Sequence, residues 1–196
     1  FLIVTYHPVT LEYEQVEWQI EELLSALEYS DIPVLFTMPN SDTGSQVIRE
    51  KIVGFINSHD SAFAVETLGT QGYFSAMSHA SVMIGNSSSG IVEAAPFNLP
   101  VVNIGTRQQG RVRSENIIDV GYDSEEISSA IRLALSNGFR KKIEKAESVY
   151  GDGHAAEKII SVLQEVELTD RLLKKPFFDI SMTPEDTFFL NYHKEL

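Results

Sequence analysis

Short apolar runs recur along the chain at Phe1–Tyr6, Ile32–Thr37, Ala62–Val65, Ser81–Ile84, Val101–Ile104 and Ile117–Val120, and each reads as a strand. Between several of them the apolar period lengthens to that of a helix. Val16, Ile20, Leu23, Leu24 and Leu27 form one stripe, Val47, Ile48, Ile52, Phe55 and Ile56 a second, and Ile127, Ala130, Ile131, Ala134 and Leu135 a third. A late stripe, Ile159, Ile160, Leu163 and Val166, follows Gly151-Asp152-Gly153. Thr43 with Gln46, and Asp123 with Glu126, stand at capping-box spacing before the second and third helices. Strands that are apolar almost throughout, separated by helices, predict an α/β fold: a Rossmann-like parallel sheet with helices on both faces and right-handed crossovers.

In such a sheet ligands bind beyond the carboxyl ends of the strands. Polar clusters follow four of the predicted strands: His7-Pro8, Pro39-Asn40-Ser41-Asp42, Gly85–Ser89, and Gly105–Arg111. Taken singly each is ordinary turn chemistry, but together they line one edge. The segment Gly85-Asn86-Ser87-Ser88-Ser89-Gly90 ends a strand and opens a helix, where unpaired N–H groups and serine hydroxyls suit an anion and glycines admit a ligand to the backbone. Glu93, one turn later, is a carboxylate able to accept from two ribose hydroxyls. Ordinary helix capping is the competing reading of the same residues.

Charge separates the last of these four clusters from the others. No acidic residue lies between Glu93 and Glu115, whereas Arg107, Arg111 and Arg113 do, in a chain of net charge −13. Guanidinium groups there suit phosphate or carboxylate, with a salt bridge to a neighbouring acid as the alternative. Arg140, Lys141, Lys142 and Lys145 alternate with Glu144 and Glu147 and read as a solvated helix face. His7 suits phosphate contact or proton transfer, or a structural role.

With 196 residues, 43% of them hydrophobic, one domain with a substantial core is expected. The acidic balance argues against nucleic acid or an anionic membrane as partner. No apolar run approaches the ~20 residues that span a bilayer. There is no cysteine, and His59, His79, His154 and His193 show no ligand spacing, so neither a metal nor a cofactor is expected and a cytoplasmic setting fits. The chain begins without methionine, inside a strand-like run, as a piece of a longer protein would.

Several separated motifs, in order, resemble the carboxyl-terminal half of the hydrolysing UDP-N-acetylglucosamine 2-epimerases, those of the bacterial sialic-acid pathway in particular. They are Thr5–Glu12, Pro39–Ser45, Gly85–Glu93, Pro100–Arg111 and Tyr150–Gly153. The resemblance implies a two-domain enzyme of glycosyltransferase-B architecture, of which this chain is the second domain. Residues 1–180 would form a UDP-binding Rossmann-like domain and 181–196 an unassigned tail, with the amino-terminal catalytic half absent. It also implies UDP-binding positions: His7, with a catalytic role, near the diphosphate; Asn40 and Asp42 near the nucleotide; Leu68 near uracil; Ser87 and Ser88 on phosphate; Glu93 on ribose; Arg107 on the ligand.

The implied reaction inverts C2 of UDP-N-acetylglucosamine through an eliminated glycal and yields N-acetylmannosamine and UDP. The acid and base carboxylates would belong to the absent half, so this chain alone would be inactive, and the full-length protein would be a homo-oligomer. Two alternatives share the turn and the ribose carboxylate: the donor-binding half of a glycosyltransferase of the same architecture, and a hydrolysing epimerase for a UDP-diacetamido sugar. A non-catalytic nucleotide-sugar sensor is a third.

Overall fold

The structure, a computed structural model, describes residues 1–174 apart from 29, 145 and 146, with the backbone alone at 171. The tail 181–196, the end of the expected domain at 180, and Lys145 of the basic helix face lie outside the described residues. The chain divides into two compact units, Phe1–Asp152 and Gly153–Leu196.

The first unit holds six strands: β1 (Leu2–Thr5), β2 (Val34–Thr37), β3 (Ala62–Val65), β4 (Val82–Gly85), β5 (Val101–Ile104) and β6 (Ile117–Val120). They form one sheet in the order β3-β2-β1-β4-β5-β6, parallel at every pairing. Its helices are α1 (Val16–Leu27), α2 (Ser45–Ser58), α3 (Gly69–His79), α4 (Ser88–Val92), α5 (Ser124–Leu135) and α6 (Asn137–Ile143). The second unit contains α7 (Ala155–Glu165) and α8 (Asp170–Leu173).

Strand alternation sorts the core into two layers, because successive side chains leave opposite faces of a sheet. Leu2, Val4 and Tyr6 join the cluster built with α1, α2 and α5, including Ile20, Leu23, Ile48, Ile52, Ile127 and Ile131. Ile3 joins the other, with Met77 of α3, Met83, Ala94, Leu99 and Val101. Both faces of the central strands are thereby dry, which is why their sequences lack an apolar–polar alternation.

The chain builds outward from β1 to β3, returns to β4 beside β1, and builds outward again. The carboxyl ends of β1 and β4 therefore diverge toward connections on opposite sides, which opens a crevice between them. Thr5 is in register with Gly85 at its mouth.

Two local expectations are corrected. The Thr43/Gln46 capping box does not form: α2 is capped by Gly44 at φ +91, a left-handed turn against Val16 that leaves no side-chain cap. Ahead of α5, Asp123 does cap, accepting from the N–H groups of Glu125 and Glu126, but Glu126 turns instead to the N–H of Gly121 at 3.1 Å.

Candidate functional site

A cavity of about 420 Å³ opens at the crevice. His7 from the end of β1, Leu68 from the start of α3, and Ser87 and Glu93 around α4 all line it. Hydroxyl groups surround its inner end: Thr5 Oγ1 lies 2.6 Å from Thr37 Oγ1 and 3.1 Å from the Tyr73 hydroxyl. Burial raises the pKa of Tyr73, so its phenol keeps its proton as a donor.

His7 is half-buried, and the main-chain N–H of Asn40 donates to its Nδ1 at 3.1 Å. That bond requires an unprotonated Nδ1 and leaves the ring proton on Nε2. Burial, reinforced by the Arg107 charge and partly opposed by Asp42, lowers its pKa from 6.5 to about 4. At neutral pH the ring is an uncharged N–H donor. The exposed Asn40 side chain donates to Asp42 at 2.6 Å, and neither Asn40 nor Asp42 lines the cavity.

Asn86, fully buried, ties the ends of β1 and β4 together. Its Oδ1 accepts from the His7 N–H at 2.7 Å and its Nδ2 donates to the His7 carbonyl at 2.8 Å. Its own carbonyl accepts from Arg107 Nη1 at 3.1 Å and Gln108 Nε2 at 2.8 Å. Arg107 is thus held on the Asn86 carbonyl and is not among the residues that line the cavity.

The serine turn divides its labour. Ser87 caps α4 by accepting from the Ser89 N–H, and it also lines the cavity. Ser88 is not among the lining residues; Ser89 is. The helix is only five residues long, so individual hydroxyls and amides, not a long helix dipole, are what this turn offers. Its glycines are also read differently here. A Cβ on Gly85, at φ +129, would lie 2.1 Å from the Thr5 carbonyl, and one on Gly90 would lie 2.8 Å from Val101 Cγ1. Both admit protein, not ligand.

The three arginines of the 105–116 connection part company. Arg113 pairs with Asp119 at 3.1 Å and donates to the Gln108 carbonyl, a structural role. Arg111 is exposed, and Arg107 is half-buried on the Asn86 carbonyl. The near end of this connection is anchored by Glu12, which accepts from Thr106, from Tyr122 at 2.6 Å and from Gln19 at 2.7 Å. Burial pulls the Glu12 carboxyl upward, but these three donors outweigh it and its pKa falls below 4.5.

Sequence reasoning missed Thr5, Thr37 and Tyr73. The two threonines were legible as polar residues closing apolar strands. Tyr73 was not, because α3 buries only Met77 and so carries no apolar stripe. Among the described residues, no group of histidines and carboxylates is arranged to hold a metal, and no helix is long and apolar enough to cross a membrane.

A doubly wound parallel sheet with this polar crevice at its switch point is a Rossmann-like domain of the glycosyltransferase-B type. The chain belongs to the UDP-N-acetylglucosamine 2-epimerase family, whose model matches residues 1–164. It is 37% identical over 173 residues to the UDP-N,N'-diacetylbacillosamine 2-epimerase (hydrolyzing) of Legionella pneumophila, covering 88% of this chain and 45% of that protein. It is 30% identical over 183 residues to the UDP-N-acetylglucosamine 2-epimerase of Neisseria meningitidis, covering 92% and 47%. Among solved structures, the Methanocaldococcus jannaschii UDP-GlcNAc 2-epimerase in complex with UDP-GlcNAc and UDP aligns with a TM-score of 0.65 at 16% identity, over 84% of this chain and 45% of that one. The chain thus spans about half the length of the relatives it matches. Family membership sets it with the epimerases and not with the glycosyltransferases, the first alternative above.

Proposed function

We propose that this chain is the UDP-binding half of a hydrolysing UDP-sugar 2-epimerase. The observation that carries the reading is the crevice itself, where His7, Leu68, Ser87 and Glu93 line one cavity with Arg107 bonded just behind. Glu93 takes the ribose hydroxyls, the Leu68 backbone meets uracil, and Ser87 with the turn at Ser88 donates to phosphate. Asn40 and Asp42 hold His7 from behind.

Elimination breaks the bond from C1 to the diphosphate oxygen, which departs with the electron pair, while C2 loses its proton. Negative charge then grows on the departing phosphate. The Nε2–H of His7 and the guanidinium of Arg107 stabilise that charge, which is this half's share of the catalysis. Water adds across the resulting double bond, with the proton returning to C2 from the other face. The groups that move the C2 proton are assigned to the amino-terminal half, so this chain alone binds but does not turn over. The full-length protein is proposed to be a cytoplasmic homo-oligomer.

The sugar is where two readings divide. UDP-N-acetylglucosamine, giving N-acetylmannosamine for sialic-acid synthesis, follows from the motifs. A UDP-diacetamido sugar is favoured by the higher identity to the Legionella relative. Calorimetry of this chain with UDP tests the half-site, and failure to bind would end the reading. Incubating the full-length polypeptide with each UDP-sugar and identifying the released sugar distinguishes the substrates; a product still bearing UDP would refute hydrolysis.

A further inference from the structure

Past the last register pair, Thr5 with Gly85, one more main-chain hydrogen bond joins β1 to the end of β4 before the two strands part. The Asn86 carboxamide continues the ladder there. It presents an acceptor and a donor side by side, as a peptide group does, and satisfies both main-chain groups of His7 at 2.7 and 2.8 Å. Its own N–H donates to the Thr5 carbonyl at 3.2 Å. Its carbonyl takes two donors, Arg107 and the buried Gln108, and so has both lone pairs engaged.

From this geometry we propose that Asn86 is the positioning residue of the site: its side chain fixes His7 and its carbonyl holds Arg107, so that two groups on separate loops are set as one unit. This deepens the UDP reading and rests on it. Few side chains could substitute. Aspartate has no donor for the His7 carbonyl, serine has one group where two are needed, and glutamine is a methylene too long for a fully buried position. With Nη1 committed to Asn86, Arg107 enters its task pre-oriented, and less freedom is lost when an anion arrives.

A double-mutant cycle on UDP affinity tests the coupling. Asn86→Ala is expected to weaken binding about tenfold or more in the wild-type background and to cost much less once His7→Ala is present, because the imidazole that the Asn86 side chain positions is gone. Penalties that simply add, or unchanged affinity in Asn86→Ala, would overturn the proposal. Should Asn86→Ala fail to fold, Asn86→Asp replaces it in the same cycle, since it keeps the shape and the acceptor but removes the donor.

A second measurement needs no ligand. Nitrogen-15 shifts of the His7 ring in the free chain should show the Nε2–H tautomer, and either Asn86 variant should mix the two tautomers as the Asn40 bond is lost. A tautomer unchanged in the variants refutes positioning of His7. A wild-type chain that does not bind UDP while its tautomer responds as expected refutes the nucleotide reading and leaves Asn86 as the residue that sets His7.

Discussion

The main-chain N–H of Asn40 donates to Nδ1 of His7, so the loop after β2 sets the tautomer of a residue after β1. The ring's folded value of about 4 lies below its ordinary 6.5. Between these values the unfolded chain binds a proton that the folded chain refuses, and stability falls as pH drops through that window. Urea midpoints measured across it should show a shallower slope for His7→Gln than for the wild type.

A diphosphate beside the same ring would favour its charged form, and UDP binding in that pH window should take up protons. Calorimetry in two buffers of different ionisation heat reads the uptake. Identical enthalpies in both would remove His7 from phosphate contact.

Glu93 and Arg107 are expected to matter for binding and little for folding, being half-buried groups at the crevice. Glu93→Ala and Arg107→Ala should each weaken UDP binding about tenfold or more, the scale of a lost charge-assisted hydrogen bond. Glu93→Ala should also erase any preference for UDP over its 2'-deoxy analogue. A preference that survives would take the ribose away from Glu93.

Gly85→Ala tests the mouth of the crevice. The added Cβ would meet the Thr5 carbonyl at 2.1 Å in a backbone conformation that side chains rarely adopt. A loss of about 3 kcal/mol or more in denaturant unfolding is expected. A near-neutral effect would show that β1 and β4 can separate there without cost.

Glu12→Gln should loosen the arginine connection, because one charged acceptor serves Thr106, Tyr122 and Gln19. The folded carboxyl titrates below 4.5, so the stabilisation it lends is present above that value and is lost as pH falls through the folded one. Thermal unfolding should separate wild type from variant at neutral pH, with the gap closing in acid. A gap independent of pH would mean that the charge of Glu12 contributes nothing.

The strands and the helices α1, α2 and α5 were legible because burial writes itself into composition; the late stripe falls on α7 and its C-cap Val166, yet none of its residues is buried. The polar clusters after the strands were legible as an edge for the same reason. What escaped were positions whose role is a partner elsewhere. Gly85 and Gly90 read as room for a ligand, yet Thr5 and Val101 fill that room. Arg107, Arg111 and Arg113 read alike, yet Asp119 claims one and Asn86 orients another. Asn86 reads in the sequence only as one residue of the Gly85–Gly90 turn, since nothing local distinguishes a buried asparagine that completes a strand ladder from one in a turn.

By itself the sequence determined the alternation of strand and helix, the faces that α1, α2 and α5 bury, and the edge on which polar loops gather, since these follow from periodicity and from the rule that parallel strands share a direction. Only the tertiary structure decided which loops meet. The return of the chain from β3 to β4 sets His7 beside Asn86, and the following connection brings Arg107 to the same carbonyl. Hydrogen bonds act over about 3 Å, so groups some eighty or twenty residues apart in the chain cooperate only once strand order has placed them within that reach.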